Sequence, residues 1–165
     1  MVRALAAGLI LLLGACATGA PKAPGVASAG ALITRYDEAA LKQVVTGLGY
    51  SVVDSGLSSS GKPFLSVEAG KELAFRIMGE SCEGEAAKQV CMGIQLSTQF
   101  AQTNDDLDNL IEQGNRTLRP AKLFRVDAGM AYERYLIMDG GISAENLSTN
   151  ITVFVEVMQL LLERL

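Results

Sequence analysis

Apolar and polar positions along the chain switch period several times, and each switch marks an element. From Thr34 to Leu48 the apolar residues Leu41, Val44, Val45 and Leu48 keep the three-and-four spacing of one helical face, with Thr34 as cap, Asp37 three residues on and Gly49 as stop. Beyond Gly49 the period falls to two. Tyr50 to Asp54, FLSVEA at 64–69, ELAFRIMG at 72–79 and Val90 to about Phe100 read as four strands of a meander, hence an antiparallel sheet. TNDDLDNLIEQG at 103–114 then predicts a short helix, with acids in its first turn and Gly114 as its end. KLFRVD and MAYERYLIMD alternate across a DAG turn as a further hairpin. The closing helix has Ser143 as cap, Ile142 placed to staple against Leu147, and apolar residues Leu147, Ile151, Phe154, Val155, Met158, Leu161, Leu162 and Leu165. The expected fold is α+β, an antiparallel sheet with three flanking helices.

In that last helix the polar residues Thr152, Glu156, Gln159 and Glu163 form one narrow line, so more of the circumference is apolar than one sheet face can cover. Either more of the same domain or a second subunit must take the excess. A partly intermolecular surface is expected here, with Phe154, Met158, Leu161 and Leu162 as partner-binding residues.

The first thirty residues follow a different pattern. MVRALAAGLILLLGAC carries one charge, Arg3, and then an apolar run of about a dozen residues, a secretory signal too short to span a bilayer permanently. Leu13-Gly14-Ala15-Cys16 resembles the lipobox of bacterial lipoproteins, which implies removal of residues 1–15 and acylation of Cys16. Several acyl chains at one site would hold the protein on a membrane where a single chain would not. Ala17 is not the aspartate that retains such proteins in the inner membrane, so the outer membrane, on its periplasmic side, is the expected destination. Residues 16–30 then form a tether of small, Pro- and Gly-rich composition spanning roughly 20 Å as a coil. Residues 31–165 are left as the folded domain. A plain secreted protein cleaved after an Ala-x-Ala is the alternative.

Export changes the reading of the remaining thiols. Cys82 and Cys91 flank a polar segment between two predicted strands, and an oxidising compartment favours a structural disulfide that staples this hairpin, with free buried cysteines as the alternative. The chain holds no histidine, which removes the usual general base and most transition-metal sites. Its net charge is -4 with scattered basic residues, so a nucleic-acid partner is not expected.

Motif-like strings reduce to decoys. Gly56 to Lys62 has the spacing of a P-loop but is followed by Pro63 and a strand rather than by Ser or Thr and a helix, so no nucleotide is expected. Ser59-Ser60-Gly61-Lys62 lacks the partner motifs of penicillin-interacting enzymes. Asp106-x-Asp108 lacks the further oxygen ligands and glycine of a calcium loop.

The order of elements, with Gly114-Asn115, Asp139-Gly140-Gly141-Ile142-Ser143 leading into Glu145-Asn146-Leu147, and the strand-flanked cysteine pair, resembles the YbjN-domain family over about residues 31–165. The resemblance implies an α+β fold similar to type III secretion chaperones, a regulatory role and no catalytic residues. An aromatic residue often found near the equivalent of Asn115 is missing. The expected function is therefore a non-enzymatic, lipid-anchored interaction or regulatory module of the envelope, without cofactor or metal. Its partner would be a second copy or an envelope protein. The alternatives are a structural envelope factor, and a histidine-free small-ligand-binding protein or hydrolase using carboxylates such as Asp37, Asp54 or Asp127.

Overall fold

The computed structural model describes residues 31–71, 73–85, 88–101, 106–118 and 122–164. The elements run α1 (Glu38–Gly47), β1 (Ser51–Leu57), β2 (Pro63–Glu68), β3 (Ala74–Glu83), β4 (Val90–Ala101), α2 (Leu107–Thr117), β5 (Lys122–Val126), β6 (Gly129–Ile137) and α3 (Ala144–Leu162). The strands form one six-stranded sheet in the order β1-β2-β3-β4-β6-β5, antiparallel throughout. The fold is α+β.

Period-two alternation decides which face of the sheet is buried. Leu65 of β2 lies opposite Ile77 of β3, and Ile77 opposite Leu96 of β4, so one row of fully buried side chains crosses the sheet under α1 and α3. Their neighbours Ser66, Arg76, Gln95 and Glu133 occupy the opposite phase. In β6 the row is continued by Arg134, opposite Leu96, whose guanidinium donates to Asn150 Oδ1 of α3.

Two helix ends and one strand differ from the sequence expectation, the helix ends because tertiary contacts compete with a local signal. α1 starts at Glu38 with Asp37 as its cap, accepting from the Ala40 amide at 3.0 Å, rather than at Thr34. The backbone before it is used elsewhere: Ile33 pairs with Ile142, and the Tyr36 amide donates to the Cys91 carbonyl at 2.8 Å. α2 runs on past Gly114 to Thr117. Gly114 is buried inside the helix, because a Cβ there would run into Leu123 Cδ1, so this glycine permits close helix-to-strand approach rather than ending the helix. β1 starts one residue later than expected and continues to Leu57, with a bulge at Val53. Ser143 caps α3 as its spacing predicts, accepting from the Asn146 amide at 3.1 Å.

α3 supplies the centre of the core. Leu147, Ile151, Phe154, Val155, Val157, Met158 and Leu161 are all buried, with the Phe154 ring stacked on Tyr132 at 4.5 Å and tilted against Phe75 at 5.6 Å. The partner-binding face expected at Phe154, Met158, Leu161 and Leu162 is therefore corrected: the first, second and third are buried inside the domain, and Leu162 alone of the four is exposed. α1 lies beside α3 and its Leu41, Val44 and Val45 cover the part of the apolar arc that the sheet leaves open. Of the two burial sites considered from the sequence, more of the same domain is the one that the structure supplies.

One edge of the sheet is closed by a side chain. The Asn115 amide donates to the Leu123 carbonyl and accepts from the Leu123 amide, both at 2.8 Å, so it takes the place of a neighbouring strand at that one residue of β5. Asn115→Ala strands both backbone groups and is expected to cost about 1–3 kcal/mol. Faster hydrogen exchange at the Leu123 amide, together with a lower urea midpoint, checks it; an unchanged exchange rate refutes the strand-mimic role.

Candidate interaction surface

The residues singled out from the sequence fall in different places. Cys16 lies outside the described residues. Cys82 and Cys91 face each other across the β3–β4 ladder with their sulfurs 2.08 Å apart, the separation of a disulfide. Cys91 is buried, and its Sγ leaves no room at Gly79, where a Cβ would come within 2.8 Å of it. Gly56 to Lys62 closes the β1–β2 hairpin and leads into a strand; Lys62 pairs with Glu80 of β3. The three carboxylates considered for a hydrolase do not converge. Asp37 caps α1, while Asp54 on β1 and Asp127 beyond β5 stand at opposite edges of the sheet, about 24 Å apart by strand spacing. Among the described residues no group of three Cys, Asp or Glu is placed to hold a metal ion.

Around the disulfide the chain builds a surface that sequence reading did not single out. Tyr135 lies over Gly93, whose missing side chain gives the ring its seat, and its hydroxyl is 3.0 Å from Ser81 Oγ. Next to it on the same strand Ile137 is 69% exposed, and Leu32, packed against Gly141, is 57% exposed. Tyr135 itself is 49% exposed. Together they line a shallow hollow of about 620 Å³ that also includes Ile142 and Asn146. Gly141, at φ 95°, a conformation open to glycine, leaves the space that Leu32 fills, since a Cβ there would come within 2.6 Å of Leu32 Cβ.

The surface lies where the chain enters the domain. Ile33 bridges Ile142, and Tyr36 is bonded to Cys91, so the entry segment, the start of α3 and the disulfide hairpin are tied together. The Tyr36 hydroxyl is buried without a partner, and burial, reinforced by Glu38, pushes its ionisation well above the usual tyrosine range. A sequence signal for this surface did exist. In β6 the phase opposite the core row begins with Ala131 and Glu133 but ends with Tyr135 and Ile137, apolar where a solvated face should be polar.

Another concave region lies on the open face of the sheet, a hollow of about 500 Å³ with Ser66, Arg76, Met78 and Glu133 in its lining. Arg76 stacks over the Phe64 ring at 4.7 Å. Burial raises the Glu133 carboxyl above its usual range, and Lys122 opposes that shift. These are neighbours on a pleated face, with the alternating charge that keeps such a face in water. No family model, no curated protein and no solved structure matches this chain.

Proposed function

We propose that this chain is an exported, lipid-anchored module of the bacterial envelope, held on the periplasmic side of a membrane through Cys16, which acts by binding another protein rather than by catalysis. The resemblance of residues 31–165 to the YbjN-domain family supports a regulatory role of this kind. The observation that carries the reading is the exposed cluster of Leu32, Tyr135 and Ile137 at the point where the chain enters the domain. Large apolar side chains left together in water mark contact sites. A surface beside the entry point would face the membrane-proximal space, within roughly the 20 Å reach of the tether. The polar complement is also suitable: Tyr135 offers an aromatic face with a hydroxyl already oriented by Ser81.

Metabolic labelling with a fatty-acid analogue tests the anchor. The full-length chain is expected to take up label and to partition with membranes, and Cys16→Ser to lose both; label retained in Cys16→Ser, or absent from the native chain, overturns the anchor. A photo-crosslinking residue at position 137 tests the surface, with the same residue at exposed Asp108 as reference. Discrete adducts from position 137 and not from 108 support the contact site, and equal labelling at both refutes it.

A further inference from the structure

The strand that carries Cys82 is deformed one residue before it. Among the described residues Ser81 is the one non-glycine with a positive φ, at 50°, and the β3–β4 ladder passes from Glu80 opposite Gly93 to Cys82 opposite Cys91 without pairing it. A residue with a β-carbon keeps such a conformation only where its surroundings impose it. By the alternation of β3, Ser81 belongs to the buried phase of Ile77 and Gly79. Its Oγ nevertheless meets the Tyr135 hydroxyl at 3.0 Å on the open face, with the ring lying over Gly93 of the strand between them. The left-handed backbone is what carries the side chain across.

What imposes it lies on the far side of Ser81. There the ladder has two pairs left before the hairpin loop, Cys82 with Cys91 and Glu83 with Val90, and the first of them is the disulfide. Cys91 is anchored independently, buried and with its carbonyl accepting from the Tyr36 amide at 2.8 Å. The sulfur bond passes that anchorage to Cys82 and so to the residue beside it. We propose that the Cys82–Cys91 bond is a redox control on the surface that Tyr135 shares with Leu32 and Ile137. Closed, it keeps Ser81 turned to the open face and Tyr135 seated over Gly93 with its hydroxyl held. Opened, it lets Ser81 return to extended backbone in the phase of Gly79, and the ring loses the bond that orients it.

The reductant is a dithiol, the class of compound that exchanges with protein disulfides. Its thiolate attacks the Sγ of Cys82, the less buried of the two residues, so that a mixed disulfide forms there and the bond to Cys91 breaks. Cys91 leaves as a thiolate and takes a proton. The second thiol of the reductant then displaces Cys82, which is protonated in turn. Two electrons and two protons have passed to Cys82 and Cys91, and the reductant departs as its own disulfide. That the seated ring is the form a partner binds rests on the proposed function; that the sulfur bond seats the ring does not.

Fluorine NMR of the full-length chain, carrying Cys16→Ser and labelled with 3-fluorotyrosine, reads its four tyrosines separately; the Tyr135 signal is the one lost in Tyr135→Phe. With dithiothreitol, and with both thiols freed as counted by maleimide labelling, that signal is expected to move toward the position of free 3-fluorotyrosine. Those of Tyr50 and of core Tyr132 should stay. Ser81→Ala, a change at an exposed residue, should put the Tyr135 signal at the same place with the disulfide closed, and reductant should move it no further. A Tyr135 signal indifferent to reduction overturns the proposal, and so does an oxidised Ser81→Ala chain that keeps the native signal. Movement of Tyr135 only together with Tyr50 and Tyr132 overturns it as well, because reduction would then act by unfolding the domain. Photo-crosslinking adducts from position 137 should fall in reductant, and equal yields in both states refute the control. The fluorine signal is read with no partner present, so its failure leaves the contact site standing, and a lack of adducts leaves the seat standing.

Discussion

Phe154→Ala is expected to lower the unfolding free energy by about 3–5 kcal/mol, enough to unfold a domain of ordinary stability in part. The ring is fully buried at the middle of α3, stacked on Tyr132 and touching Phe75, so its removal opens a cavity bounded by the sheet on one side and the helix backbone on the other. Neither side can collapse into it, since β3 and β6 are held in register on both flanks. Urea unfolding followed by far-UV circular dichroism gives the number. A loss below about 1 kcal/mol, the size expected of a surface site, would show that this face of α3 is not core. Met158→Glu belongs to the same experiment. Were the residue on a partner face, the charge would yield a well-folded monomer; because Met158 is buried, the expected product is unfolded protein with an unpaired charge.

Loss of the Cys82–Cys91 disulfide is the second large effect. The bond closes a loop with a sequence separation of nine, which the chain-entropy account values at about 2.5–3 kcal/mol. Cys91→Ser also places a hydroxyl where a buried sulfur had been. The native chain with reductant should unfold at the lower urea midpoint of Cys82→Ser, and reductant should not move the variant further. Identical midpoints for oxidised and reduced native chain would show that the bond does not form in the folded protein. Because the Cys91 carbonyl accepts from the Tyr36 amide, the same loss should speed hydrogen exchange at Tyr36, at the chain's entry point.

What could be read from the residues, and what could not, divides along the range of the interaction. Ser143 announced the start of α3, and the alternation of FLSVEA, ELAFRIMG and the strand after Val90 announced a meander, because caps and pleats involve residues a few positions apart. Thr34 misled for the complementary reason. Its capping pattern is sound locally, yet the chain there is claimed by Ile142 and Cys91, far away in sequence. Gly114 misled likewise: a glycine can end a helix or admit a neighbour, and Leu123 selects the second.

For the candidate surfaces the division is sharper. That α3 carries more apolar surface than one sheet can bury is a property of its own residues, and so is the pairing of Cys82 with Cys91 across a hairpin. Which groups then remain in water depends on the order β1-β2-β3-β4-β6-β5, since that order leaves β1 at an edge, gives β5 to Asn115 and lays α1 over the spare flank of α3. A sequence fixes how much apolar surface must be hidden; only the packed chain decides which copy of it stays outside, because burial is a competition among all elements at once and no single segment contains its result.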